Sequence, residues 1–370
     1  MASAQTELNR STVHEMTPVQ NCRDRGRQAF IFHAKRQLGV YSRTVLHREF
    51  DRAVSSGRSD GGASNPLADN PAFAAWSALN IGSQQQMWRA LGDMVDRQTD
   101  ALNEHARSIE ARSPLGSLTL DPELPLPNYF RETAYHGQPG GFCLDRGESD
   151  WYAGALQEAG GTLYTRGAGT GDKDSKGQAV VRFLGQRFPG LRPNTLIDLG
   201  CGHGGQTCNY AAAFPEARTV GVDLGAGLLR YGHLRAESLG LPLHLKQACA
   251  SDTGFPDASF DVVVSNILLH EIPRDMLRAV MRESFRLLRP GGVVLHQDVP
   301  TQRPETPAFN QWLSQWQVQH NDEPFWQSFA ETSVPDALVE AGFHPGQIFE
   351  EYVPQVDGPL VWYMVGAQKV

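Results

Sequence analysis

From about residue 175 onward the chain alternates short apolar, β-branched runs with helical stretches, and this alternation constrains the fold more than any other feature. The runs are TLIDLG, ARTVGVDLG, LHLKQAC, FDVVVSN and GGVVLHQDV. Stretches such as GLLRYGHLRAESLG and RDMLRAVMRESFRLLRP separate most of them. Such a chain builds right-handed βαβ crossovers and a parallel, doubly wound sheet. Two further strand-like runs, GQIFEEYV and LVWYMVGAQ, close the chain with no room for a helix between them. They predict an antiparallel hairpin at the sheet edge.

The first of these strands runs into a glycine loop, Thr195–Thr207, TLIDLGCGHGGQT. A tight turn that opens a helix offers free backbone N–H groups to a ligand, and glycine lets that backbone approach closely. The loop reads formally as G-x-G-x-x-G, which suits a dinucleotide. It also carries Asp198 two residues before the first glycine. A carboxylate is badly placed beside a pyrophosphate, whereas it can hold an ammonium group by a charge-assisted hydrogen bond. S-adenosylmethionine (SAM) carries such a group, so Asp198 favours SAM over NAD. Asp223 ends the next strand, where an open α/β sheet places a carboxylate beside a ribose. NAD needs such an acid as well, so Asp223 does not discriminate.

Three more segments join the pattern: GFPDASFDVVVSN (Gly254–Asn266), LLRPGG (Leu287–Gly292) and the closing hairpin. With DLGCGHGG they resemble the class I SAM-dependent methyltransferases, notably the small-molecule branch. The resemblance covers roughly residues 175–370. It implies a Rossmann-like α/β fold with a seven-stranded sheet in the order 3-2-1-4-5-7-6 and SAM as cofactor. It also implies that Asp198, Gly200, Cys201 and Gly202 hold the methionine end of SAM, with His203 at its carboxylate. Asp223 would hold the ribose hydroxyls and Leu224 would pack on the adenine. The segment QACASD, with Cys249 and Ala250, would meet the adenine ring, and Asn266 would lie near the sulfonium. Cys249 stands where the family often has an acid, which leaves Asp252 as the replacement for the usual adenine contact.

Methyl transfer needs alignment, exclusion of water and, for a hydroxyl or carboxylic acceptor, management of a proton. His270 follows the fourth strand in SNILLHEIP and is the expected base or substrate hydrogen-bond partner. His296, in VVLHQDVP, is a second candidate, set against its reading as a buried, hydrogen-bonded core histidine. Tyr164 lies in the segment before the glycine loop, which folds over SAM as a lid in similar methyltransferases, and an aromatic face there suits a sulfonium. No H-E-x-x-H is present, and no metal site is expected. A long insertion at about 300–333 carries Trp312, Trp316, Phe325 and Trp326, which are expected to cover a small planar or apolar substrate.

The rest of the chain divides into a disordered N-terminus (1–20), a helical cap or dimerisation region (21–150) and a lid or linker segment (151–174). In the cap region Trp88, Leu91, Met94, Val95 and Leu102 recur near helical spacing. The formal net charge is −8, with no Lys/Arg run, so nucleic acid is disfavoured as a partner. Five scattered cysteines without a C-x-x-C read as reduced thiols, and no apolar run spans a bilayer. A cytoplasmic location follows as an expectation. The expected function is methyl transfer from SAM to a small molecule of bacterial-type specialised metabolism, with oxygen ahead of nitrogen as acceptor. The alternatives are a SAM-binding regulator without turnover and an NAD-dependent oxidoreductase.

Overall fold

The computed structural model describes residues 13–56, 65–164, 176–301, 307–356 and 360–370. Its centre is an α/β sheet. Strand β2 (Thr195–Leu199) is flanked in parallel by β3 (Arg218–Asp223) on one side and β5 (Phe260–Asn266) on the other. Outward from β3 comes β4 (Leu243–Gln247), and outward from β5 comes β6 (Leu288–Asp298). Strand β8 (Val361–Gln368) runs antiparallel to β6 and pairs with the edge strand β7 (Ile348–Pro354). These seven strands have the expected order.

An eighth strand, β1 (Ser117–Thr119), corrects the reading of SPLGSLTLDPELPLPNYF as a plain connector. It extends the sheet beyond β4, with Ser117 opposite His244. Gly116 permits this approach, since a Cβ there would lie 2.0 Å from the Leu243 carbonyl oxygen. The Glu237 carboxylate accepts from the Leu115 and Gly116 amides and fixes the strand's entry.

Strand alternation sends neighbouring residues to opposite faces. Ile197, Leu199 and Val263 pack under the helices Arg274–Leu287 and Val334–Ala341, with Leu277, Met281 and Leu338. Leu196, Val262 and Val264 face the other way, against Val180 and Leu184 of the helix Lys176–Arg187. Both layers are fully buried, as a parallel sheet requires.

The N-terminal region is helical and wraps one flank of this sheet. Helix Cys22–Tyr41 starts at a capping box in which Asn21 and Asp24 satisfy each other's backbone N–H. Helix Pro71–Asp96 starts with Asn70 accepting from the Ala72 and Phe73 amides, and Pro71 fits its first turn. Its buried face, including Met87, Trp88, Leu91 and Val95, packs against the helix Tyr152–Tyr164 and, through Tyr231 and Leu234, onto the helix Ala226–Ser238 behind β3. Part of the expected disordered N-terminus, residues 1–12, lies outside the described residues. The remainder is packed: Met16 is buried and its carbonyl accepts from the Tyr231 hydroxyl. Among the described residues no helix is long and apolar enough to cross a membrane.

Glu158 is the charged pin of this seam. Its carboxylate is held by His14 Nε2 at 2.9 Å, Tyr231 Oη at 2.6 Å and Arg235 Nε at 3.1 Å. Burial alone would raise its pKa. The hydrogen bond from His14 and the charge of Arg235 outweigh burial and hold it well below the usual carboxylate range. A depressed acid contributes stability above its unfolded pKa and loses it as pH falls, so the seam weakens in acid, below about pH 4.5. Glu158→Ala strands Arg235 without its carboxylate. We expect a loss of about 3–5 kcal/mol in denaturant unfolding at neutral pH, the cost of breaking a buried pair from one side. A loss under about 1 kcal/mol would show that the seam does not depend on this group.

Candidate active site

The backbone after β2 turns through three left-handed glycines, Gly200 (φ 73°), Gly202 (φ 55°) and Gly204 (φ 70°). Side chains rarely adopt this conformation. At Gly200 a Cβ would also come within 2.7 Å of Leu268. Asp223, at the end of β3, clamps the loop: Oδ2 accepts from the Gly202 amide and Oδ1 from the Gly225 amide, both at 2.8 Å. An ionised carboxylate has about four acceptor sites, so Asp223 keeps capacity for two further donors.

The loop and Asp223 open onto a cavity of about 1020 Å³, at the carboxyl ends of the parallel strands, where open α/β sheets bind ligands. Its wall brings together Gly200, Cys201, Gly202, His203, Asp223, Leu224, Cys249, Ala250 and Asn266 with Tyr164, His270, Trp316 and Trp326. The residues fit SAM. The glycine loop leaves room for close backbone approach, Asp223 retains acceptor capacity for a diol, and Leu224 and Ala250 supply apolar surface.

Several expected site residues lie elsewhere. Asp198 is buried beneath the loop, off the cavity wall; its Oδ2 accepts from the Thr207 hydroxyl at 2.6 Å and its Oδ1 has no partner among the described residues. Burial pushes its pKa up to about 7, against the hydrogen bond from Thr207. His296 is fully buried in the sheet. Its Nδ1 meets Ser265 Oγ at 2.7 Å, and burial lowers its pKa to about 3, so it is a neutral core histidine away from the cavity. Trp312 packs among Phe50, Phe73 and Phe309, with Nε1 donating to Asn65 at 2.9 Å. Phe325 packs edge-on against Tyr129. These two rings fix the insertion, whose helix Ala308–His320 docks on the N-terminal helices, and do not face the cavity. Trp316 does reach the wall, but it also packs on Trp76 and donates to Ser77.

His203 lies on the wall with Nδ1 2.7 Å from Gln157 Oε1, and burial lowers its pKa to about 4. It is neutral, with Nδ1 as donor to that oxygen. Cys249 meets Ser251 Oγ at 3.1 Å. Asp252 pairs back to Cys249 in an isolated bridge and does not reach the cavity, so it does not stand in for the family's acid. Asn266 donates to Gln297. The lid beyond Tyr164, residues 165–175, lies outside the described residues.

Around His270 the cavity carries a chain of ionisable groups. Asp298 Oδ1 lies 2.5 Å from His270 Nδ1, and His270 Nε2 lies 3.4 Å from Glu271 Oε1. Glu271 Oε1 also lies 3.0 Å from His136 Nε2, while His136 Nδ1 lies 2.5 Å from Glu323 Oε1. The Tyr164 hydroxyl donates to the same Glu323 oxygen at 3.0 Å and accepts from Asn321. Burial opposes charge on both rings, but the flanking carboxylates outweigh it. His270 is pushed well above its ordinary range and His136 up to about 10. Both are imidazolium ions at neutral pH. His270 therefore cannot accept a proton until it has passed one on, which changes its expected role from base to charged partner. Burial raises the Tyr164 pKa, with Glu323 and Glu271 adding to it, so it stays a phenol.

The sequence offers Asn321 and Glu323, with His320 and Asp322, as polar recognition groups of the insertion, and His136 within the loop YHGQPGGF that reaches toward the site, but gives none of them a partner. They lie in a turn-rich loop and in the insertion, and no local motif links them to Glu271. Backbone strain marks the same place. His136 (φ 60°), Ile267 (φ 57°) and Asp322 (φ 49°) adopt left-handed conformations that side chains disfavour. The Gln84 and Trp88 side chains hold His136 by donating to its carbonyl at 2.7 and 2.9 Å.

A family model described as a methyltransferase domain matches residues 196–292. Among curated relatives, the chain is 28% identical over 202 residues to phosphoethanolamine N-methyltransferase 1 of Arabidopsis thaliana, covering 53% of this chain and 40% of that one. It is 31% identical over 135 residues to trans-aconitate 2-methyltransferase of Methylobacterium radiotolerans, covering 36% and 47%. The chain thus spans less than half the length of these relatives. A solved geranyl diphosphate methyltransferase in complex with GPP and sinefungin aligns at 20% identity and a TM-score of 0.40, over 52% of this chain and 78% of that one. The match to a methyltransferase domain over residues 196–292 runs from β2 into β6, the part of the sheet that carries the glycine loop and the clamping acid of β3.

Proposed function

We propose that the chain transfers a methyl group from SAM to a small-molecule acceptor, and that the acceptor atom is oxygen. The observation that carries this reading is a single cavity that joins the glycine loop and Asp223 to a buried carboxylate–imidazole network. The sulfonium of SAM supplies the methyl group by in-line displacement, so the protein's work is alignment, exclusion of water and control of a proton. Gly200 and Gly202 present backbone to the methionine end, Asp223 takes the ribose hydroxyls, and Leu224 and Ala250 flank the adenine. Tyr164, Trp316 and Trp326 supply aromatic wall to the same cavity. A hydroxyl acceptor releases its proton into the network of Glu271, His270 and Asp298, in which His270 acts as a charged positioning group. A carboxylate acceptor needs no proton removed. The net charge of −8 argues against a nucleic-acid substrate. Specialised metabolism is the setting in which such an enzyme is expected.

Calorimetric titration with SAM, S-adenosylhomocysteine and NAD(H) is the direct test. Binding of the adenosyl ligands alone supports the proposal, and binding of NAD(H) alone sinks it. Asp223→Ala should weaken SAM by about 10-fold or more, since it removes the loop clamp and the diol acceptor. His270→Asn should lower turnover by about 10²-fold while SAM affinity stays within about threefold. An unchanged kcat would remove His270 from the chemistry. Asp198 gives a pH-dependent prediction. Its folded pKa is raised to about 7, so its contribution to stability is fully present below its unfolded value and is lost as pH rises through about 7. Asp198→Asn should flatten the fall in melting temperature between about pH 4 and 7 relative to the parent. Parallel curves for the two proteins would show that Asp198 does not titrate in that window.

A further inference from the structure

The strongest unassigned feature is the junction of His136, Glu271 and Glu323. One comes from the loop after the helix Asn128–Glu132, one from the end of β5's connection and one from the insertion after β6. Each offers a ligand atom, and the three atoms lie within 4.8 Å of one another. All three residues line the cavity, so an ion has a route to them.

We propose that His136, Glu271 and Glu323 form a binding site for a single first-row divalent metal ion. The independent observation is the state of the carboxylates. Glu271 and Glu323 have side chains 7% and 1% exposed. Each uses Oε1 for the imidazole ring, and each leaves Oε2 buried without a partner among the described residues. A buried unpaired carboxylate oxygen costs about 1–3 kcal/mol or more. An ion would displace the proton that His136 carries, take a ring nitrogen as ligand, and give the two carboxylates the partner that their Oε2 atoms lack.

The surroundings fit a ligand set as well. Groups that orient ligands sit behind each member: His270 and Asp298 behind Glu271, the Tyr164 hydroxyl on Glu323, and Gln84 and Trp88 on the His136 backbone. Ligating residues characteristically have such partners. One imidazole nitrogen and two carboxylates suit zinc, manganese, iron or cobalt better than a soft, thiolate-seeking ion. Three protein ligands leave further coordination positions toward the cavity. The site stands on these residues alone. Its consequence rests on the methyl-transfer proposal: the open positions would hold an acceptor that presents a carboxylate or two adjacent oxygens.

The test uses the full chain, stripped with a chelator and titrated with Co2+, whose visible absorption reports a coordinated ion. Metal content after desalting gives the stoichiometry. We expect one equivalent bound, and affinity at least about 100-fold weaker in His136→Ala and at least about 10-fold weaker in Glu323→Gln. Circular dichroism identifies a variant that fails to fold; Glu323→Gln is nearly isosteric and decides the matter if His136→Ala does not fold. Absence of stoichiometric cobalt, or cobalt retained undiminished by Glu323→Gln, overturns the site and would place any bound ion on other groups. SAM titration of the same stripped protein separates the two ideas. SAM binding without metal binding removes the ion site and leaves methyl transfer standing. Metal binding without SAM binding does the reverse.

Discussion

The structure depends on a clamp between two strand ends. Asp223 accepts from the Gly202 and Gly225 amides, and so ties the turn after β2 to the turn after β3. The turn it holds is left-handed at alternate residues, which only glycine adopts cheaply. Because β2 lies between β3 and β5, this turn sits where the chain direction of the sheet's connections reverses, and the crevice there is open by construction. Close backbone, free acceptor capacity and an open crevice arise at one point, and the site is built outward from it.

What closes the crevice is foreign to the sheet. The helix Tyr152–Tyr164 lies between the long helix Pro71–Asp96 and the helix behind β3, pinned by Glu158 to His14, Tyr231 and Arg235. The insertion helix Ala308–His320 buries its aromatic face against Phe50, Phe73 and Trp76. These two supports bring Tyr164 and Glu323 to the same place from opposite sides. Their meeting with His136 and Glu271 yields a buried chain of alternating acids and imidazolium ions. Each ion there is tolerable only because its neighbour has the opposite charge.

The sheet was legible because each strand is a short, bounded apolar run, and buried parallel strands must be apolar on both faces. Strand β1 escaped because three residues between prolines carry no such signal; its pairing rests on the bare backbone at Gly116 and a cap from distant Glu237. Most of the residues expected at the cofactor end share one cavity wall because they are consecutive in the loop or end successive strands. Asp198 shows the limit of this reading. The right residue type stands at the right spacing, yet its side chain turns under the loop to Thr207. His296 and Asp298 alternate onto one face of the same strand, but only Asp298 reaches His270, while His296 turns to Ser265. Trp312 and Phe325 were read as substrate cover from their type; packing uses them as anchors.

By itself the sequence determined the strands, the glycine loop and the acid at the end of β3, because these are local: hydrophobic period, left-handed turns and residues a few positions apart; the strand order came only with the family resemblance. Only the tertiary structure decided that His136, Glu271 and Glu323 meet, that carboxylates flank His270 on both ring nitrogens, and that both groups line one cavity with the glycine loop. His136 lies 135 and 187 positions from the two carboxylates it meets (271 − 136 and 323 − 136), and His270 lies 28 from Asp298; burial brings them together. Burial also sets which of their charged forms survives, since a charge taken out of water persists only beside its opposite.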